Sequence, residues 1–148
     1  MDSDFRDDRG CFVCGEANPA GLKLRFRTDG ARGESAVEVA FPEPLQGWAG
    51  IVHGGLLATV LDEAMIYAAG AAGHKCVTGE ITVRFVRPAS TGAPYALKGR
   101  FLEDRGRIVL AESALLDGDG REVARAAGKL FKVPGEVRPS RPGPEGAF

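Results

Sequence analysis

The sequence predicts an α+β domain in which one long central helix faces an antiparallel sheet of about six strands. Three observations carry this expectation. A single stretch, roughly Gly54 to Ala72, has apolar residues at helical spacing. The segments on both sides of it alternate apolar and polar residues with period two. The connections late in the chain are too short to cross over, so consecutive strands there must run antiparallel.

Before the helix, Leu22-Lys23-Leu24-Arg25-Phe26-Arg27 alternates and reads as a half-buried strand closed by Thr28-Asp29-Gly30. Ala36 to Phe41 alternates again, with Val37, Val39 and Phe41 on one face. Pro42 to Gly50 is a loop rich in Pro and Gly. In the helix, Leu56, Leu57, Val60, Leu61, Ala64, Met65 and Ala68 share the helical period, and Gly70 and Gly73 suit its end. A helix this apolar is covered on most sides. Val77 to Arg87 then reads as a strand with Val77, Gly79, Ile81, Val83 and Phe85 on one face, stopped by Pro88. Tyr95–Glu103, Arg107–Leu116 and Arg121–Val133 follow, joined by turns such as Asp104-Arg105-Gly106 and Asp117-Gly118-Asp119-Gly120. The expected organisation is a flexible N-terminus over residues 1–10, one domain over 11–133 and a Pro-rich tail over 134–148. One helix cannot cover both faces of such a sheet, so exposed apolar surface points to an oligomer.

At 148 residues the chain fits one domain, which buries about 70% of its unfolded surface without a disulfide or metal. A net charge of −1 gives no electrostatic case for nucleic acid or an anionic membrane. No apolar run reaches the roughly 18 residues of a membrane span. The charged stretch Met1–Arg9 has no apolar core of a secretory signal, so the expected location is cytoplasmic. Three cysteines, Cys11, Cys14 and Cys76, argue against a disulfide framework.

The chemistry concentrates at the helix. His53-Gly54-Gly55 stands directly before it. Two glycines are poor helix formers, and they make sense where something must approach the backbone closely. A helix N-terminus offers unpaired N–H groups and about half a unit of positive charge, which favours an oxygen gaining negative charge in acyl transfer. The plainer alternative is a tight turn with no ligand. Asp62 and Glu63 lie inside the apolar helix, where charged side chains are rare. Asp62 is two turns from Gly55 and on nearly the same azimuth; Glu63 is rotated off it, towards a solvated or salt-bridged flank. Gly55 and Asp62 are separated by about 10 Å of helix rise. A base or nucleophile must sit within about 3.5 Å of the reacting carbon. One helix cannot easily serve one reacting carbonyl with both features. Two helices antiparallel across a two-fold axis can, which predicts, if both features are catalytic, a homodimer with shared sites, with a tetramer as the alternative.

The run from Gly50 through His53-Gly54-Gly55 to Asp62 and Met65 resembles the His-Gly-Gly…Asp signature of hotdog-fold thioesterases of the phenylacetate-pathway (PaaI-like) group. Val83-Arg84-Phe85-Val86-Arg87-Pro88-Ala89 looks like the strand that follows the helix there. Cys11-Phe12-Val13-Cys14-Gly15, with Asn18-Pro19 and Gly21-Leu22, looks like the opening segment of one subgroup. The match covers roughly residues 11 to 132. The resemblance implies a hotdog fold, its sheet wrapped around the helix, and hydrolysis of an acyl-CoA to free acid and CoA. It implies Asp62 as nucleophile or general base, Gly55 or Gly54 as oxyanion donor, His53 orienting the loop and Thr78 beside the attacking water. Many relatives place an Asn or Gln before the His; here Gln46 is the candidate. Coenzyme A would enter only as part of the substrate, with Arg84, Arg87 and Lys132 among the candidate phosphate contacts, alongside Lys129, Arg138 and Arg141.

No metal is expected: a structural zinc site takes four ligands, and no second Cys-x-x-Cys or His pair accompanies Cys11 and Cys14. His74, beside Lys75, reads as a surface residue. Met65, Tyr67, Trp48 and Phe85 are candidates to line an acyl pocket. Two other functions compete. One is hydration or dehydration of an acyl thioester, which asks for a catalytic His. The other is non-catalytic binding of an acyl-CoA.

Overall fold

The computed structural model describes residues 5–139. Strands β1 (Arg27–Asp29) and β2 (Glu34–Ala40) precede a short 3-10 turn at Glu43–Leu45 and the helix α1 (Gly54–Ala71). β3 (Cys76–Phe85), β4 (Pro94–Asp104), β5 (Ile108–Leu116) and β6 (Glu122–Lys132) follow. All six strands form one antiparallel sheet in the order β1-β2-β4-β5-β6-β3, with α1 packed against it. This is the expected α+β layout. Among the described residues, no helix is long and apolar enough to cross a membrane.

α1 lies close to the sheet because the strands beneath it carry small residues. A Cβ on Gly99 of β4 would stand 2.1 Å from the Ala64 carbonyl oxygen, and one on Gly128 of β6 would stand 2.9 Å from the Met65 sulfur. Two buried hydroxyls fasten the helix backbone at the same level. Ser35 donates to the Ala64 carbonyl at 2.7 Å and Ser113 to the Leu61 carbonyl at 2.8 Å. Leu61, Ala64 and Met65 fill the space between, fully buried.

Two strand readings need correction. Only Arg27 of the Leu22–Arg27 run belongs to a strand. Lys23 has φ 54°, which breaks the extended chain. Leu22 and Leu24 donate instead to the carbonyls of Phe12 and Val13, and Phe26 stacks on Tyr67 in the core. β3 does not keep Val77, Gly79, Ile81, Val83 and Phe85 on one face. A bulge lies between Thr78 and Glu80: Thr78 is opposite Leu130 while Glu80 is opposite Lys129. The extra residue, Gly79, switches the alternation. Thr78 therefore shares the α1-facing side with Ile81, Val83 and Phe85, whereas Glu80 turns outward to Lys129 at 3.3 Å.

β3 is an edge strand. Residues 79, 80, 82, 84 and 85 on it are exposed, and Phe85 is 53% exposed. Residues 134–139 have no regular structure and run beside α1, with Val137 facing Gly70. Residues 140–148 of the expected tail, and 1–4 of the expected N-terminal segment, lie outside the described residues.

Candidate functional site

The start of α1 is built by its own loop. His53 is the N-cap (φ −60°, ψ 130°), and its Nδ1 accepts from the Gly55 N–H at 2.9 Å. The Leu56 and Leu57 N–H groups point to the His53 carbonyl. Among the described residues, this leaves the Gly54 N–H without an acceptor. The Phe85 ring packs at ordinary contact distance, 3.5 Å, from where a Gly54 Cβ would stand. Gln46 shapes the loop: its Oε1 accepts from the Gly50 N–H at 3.0 Å, and its backbone bridges to Val52. Gly47 packs on His53, and Trp48, 84% exposed, stands at the rim. Gly47, Trp48, Val52, His53 and Gly54 line a cavity of about 370 Å³. The cavity therefore adjoins the dipole-positive end of α1.

Two turns further on, the half-buried Asp62 meets Thr78. The Thr78 hydroxyl donates to the Asp62 carboxylate at 2.5 Å. Burial pushes the Asp62 carboxyl above its ordinary range, and the Thr78 hydrogen bond pulls it back. The bulge at Gly79 is what turns Thr78 towards α1. Strict alternation would have put Thr78 with Glu80 on the other face, so a lone glycine inside a strand pattern was the sequence signal for this geometry.

One turn beyond Asp62 lies a second cavity, about 590 Å³, with Ile66, Tyr67, Val77 and Val137 but also the charged Asp7 and Arg138 among its lining residues. Of the four residues read as lining an acyl pocket, Tyr67 borders this cavity and Trp48 the one at the start of α1, whereas Met65 is buried in the core and Phe85 is exposed on β3.

Glu63 faces away from Asp62, as helical geometry requires, and is 8% exposed. Its Oε1 accepts from Arg138 Nη1 at 2.7 Å and lies 3.5 Å from the Cys11 sulfur. The ligating atoms of Cys11, Cys14 and Glu63 all fall within 4.8 Å of one another. Burial raises the Glu63 carboxyl to about 7, with the Cys11 charge adding to the effect. No local sequence signal joins Cys11, Glu63 and Arg138, which are 52 and 75 positions apart in their contacts.

The candidate CoA cations are not gathered together. Lys132 pairs with Asp104 at 2.7 Å, opposite Cys76 at the start of β3. Arg84 lies near the other end of β3, eight residues or about 26 Å along it. Arg87 follows β3, held through its backbone N–H to Val123. Lys129 pairs with Glu80 and Arg138 with Glu63; Arg141 lies outside the described residues. His74 is more enclosed than expected, against the Phe101 ring and 3.7 Å from Asp104.

Known proteins agree with this layout. Two Saccharolobus solfataricus proteins with provisional esterase names are similar to the chain. One is 26% identical over 102 residues, covering 68% of this chain and 72% of the relative. The other is 29% identical over 99 residues, covering 66% and 65%. A solved thioesterase superfamily protein superposes with a TM-score of 0.78 at 26% identity, covering 84% of this chain; the chain spans only 61% of that protein. The PaaI protein of the E. coli phenylacetic acid degradation operon superposes at 0.71, with 20% identity and coverage of 79% and 84%. A Streptococcus pneumoniae hypothetical thioesterase with coenzyme A superposes at 0.70, with 17% identity and coverage of 76% and 90%. It has also been solved with a threonine and with an aspartate replaced by alanine. These likenesses identify the fold as the hotdog fold. The thioesterase superfamily matches residues 49–124, from the loop before His53 to the start of β6, and the chain belongs to that superfamily.

Proposed function

We propose that the protein is a PaaI-like acyl-CoA thioesterase that works as a homodimer with shared sites. The observation that carries this reading is the Thr78–Asp62 hydrogen bond on a half-buried carboxylate beside an open edge strand. In the S. pneumoniae thioesterase the aspartate and threonine replaced by alanine stand sixteen positions apart. Asp62 and Thr78 have the same separation.

The reaction adds water across the thioester: the acyl carbon gains hydroxide, the C–S bond breaks, and the thiolate leaves with a proton as CoA. Asp62 acts as general base towards water or as nucleophile, with Thr78 fixing the carboxylate's orientation. The open Gly54 N–H at the dipole-positive end of α1 receives the carbonyl oxygen, with Gly55 held by His53 and Gln46 holding the loop. These groups are about 10 Å apart along α1, so the donor comes from one subunit and the carboxylate from its partner. Two β3 edges pairing across a two-fold axis would cover the apolar side chains left exposed there. The 590 Å³ cavity, which reaches Val77 next to Thr78 and Ile66 one turn from Asp62, would seat the acyl group. Arg84 and Arg87, on the Phe85 end of the strand, are the remaining cations for CoA phosphates.

A panel of acyl-CoAs, with free thiol followed over time, tests the reading. The wild type should release thiol from at least one, and Asp62→Ala should not. No release from any acyl-CoA would refute thioesterase activity; unchanged release by the variant would refute the role of Asp62.

A further inference from the structure

We infer that Cys11, Cys14 and Glu63 form a zinc site that pins the N-terminal segment to the middle of α1. Cys11-x-x-Cys14-Gly15 folds as a tight knuckle. The Gly15 N–H donates to the Cys11 carbonyl at 2.8 Å, and a Cβ at Gly15 would stand 2.3 Å from the Arg9 carbonyl and 2.5 Å from the Cys11 nitrogen. Only glycine fits that turn.

The third ligand comes from α1. The Cys11 sulfur and Glu63 Oε1 are 3.5 Å apart. Zinc–sulfur and zinc–oxygen bonds of about 2.3 Å and 2.0–2.2 Å at a tetrahedral angle place sulfur and oxygen about 3.5 Å apart. All three donor atoms lie within one small sphere, their separations below 4.8 Å. Two thiolates with one carboxylate suit zinc rather than magnesium or calcium; they are one ligand short of the closed set of four, which a solvent molecule would complete.

The surroundings fit a metal as well. Arg138 Nη1 donates to Glu63 Oε1 at 2.7 Å and to the Cys14 sulfur at 3.2 Å. Metal-bound carboxylates and thiolates characteristically carry such outer hydrogen bonds. Three anionic ligands exceed a dication by one negative charge, and the guanidinium compensates it. Metal entry displaces the thiol protons to solvent. Glu63 is the neighbour of Asp62 in the chain, so the metal would hold α1 where the candidate carboxylate leaves it. It would take no part in the reaction itself.

The full chain, untagged and kept reduced, should be grown with added zinc and its metal content measured by mass spectrometry. The expected result is one zinc per chain, released by a strong chelator as two thiols become reactive to a disulfide reagent. Cobalt in place of zinc should give near-ultraviolet thiolate charge-transfer absorption, lost in Cys11→Ser and Cys14→Ser. Glu63→Gln should keep both thiols and lose stoichiometric zinc. Wild-type protein that binds neither zinc nor cobalt overturns the site. A Cys11–Cys14 disulfide in the reduced preparation, or undiminished binding by the cysteine variants, overturns it too. These readouts do not depend on any enzymatic activity.

Discussion

At the scale of single residues, Gly54 offers the sharpest test of the site. It is the first residue of α1, its N–H lacks an acceptor among the described residues, and His53 before it has the φ and ψ that a following proline requires. Gly54→Pro therefore deletes one N–H and costs α1 no hydrogen bond. Thiol release should fall about 10²–10³-fold with the melting temperature nearly unchanged. Full activity would remove Gly54 from the oxyanion role. Asp62→Asn should lower kcat about 10²–10⁴-fold without destabilising the fold, because the charge it removes is partly desolvated. Thr78→Ala should lower kcat less, and Thr78→Ser should restore it. Asp62 and the two glycines were legible in the sequence because a charge in an apolar helix and glycines at its start both oppose local preference. The Glu63–Arg138 contact was not, because nothing local records a pairing over 75 positions.

At the scale of elements, periodicity identified α1 and β2 through β6 and missed what breaks periodicity. Lys23 at positive φ ends the first alternating run before it becomes a strand. Gly79 bulges β3 and exchanges its faces, so alternation alone assigned Thr78 to the wrong side. The seat of α1 rests on glycines that the pattern treats as gaps. Gly99 touches the helix on its inner side: the Ala64 oxygen and the Ser35 hydroxyl would stand only 2.1 and 2.5 Å from an alanine Cβ at that position. The Ala64 carbonyl cannot yield without lifting the helix, and the Ser35 hydroxyl cannot turn away without giving up its hydrogen bond to it. Gly99→Ala should cost about 3 kcal/mol, at the upper end for overpacking, and lower the melting temperature by several degrees. An unchanged melting temperature would mean that α1 is less firmly seated than its Ser35 and Ser113 anchors indicate.

At the scale of the molecule, local periodicity says which segments are strands and not which strands are neighbours. β3 follows α1 in sequence yet pairs with β6, the last strand, and ends at the sheet's far edge. That placement leaves Ile81, Val83 and Phe85 on a strand with one unpaired side. In the proposed dimer a charge at the exposed Phe85, Phe85→Glu, should leave a monomer in sedimentation that releases no thiol, with the proposed zinc content unchanged. A variant that is monomeric and fully active would defeat the shared-site arrangement and leave the zinc site untouched.

Thr78 occupies the same strand as that open edge, so the proposed catalysis and the proposed association fall on one element. Specific activity should then depend on enzyme concentration, falling on dilution as subunits part. Acyl-CoA bound across the proposed seam would contact both chains and act as a cross-link, so saturating substrate should shift the loss to lower enzyme concentration. Assays begun from dilute enzyme without substrate should show a lag, its length set by the rate at which two chains meet.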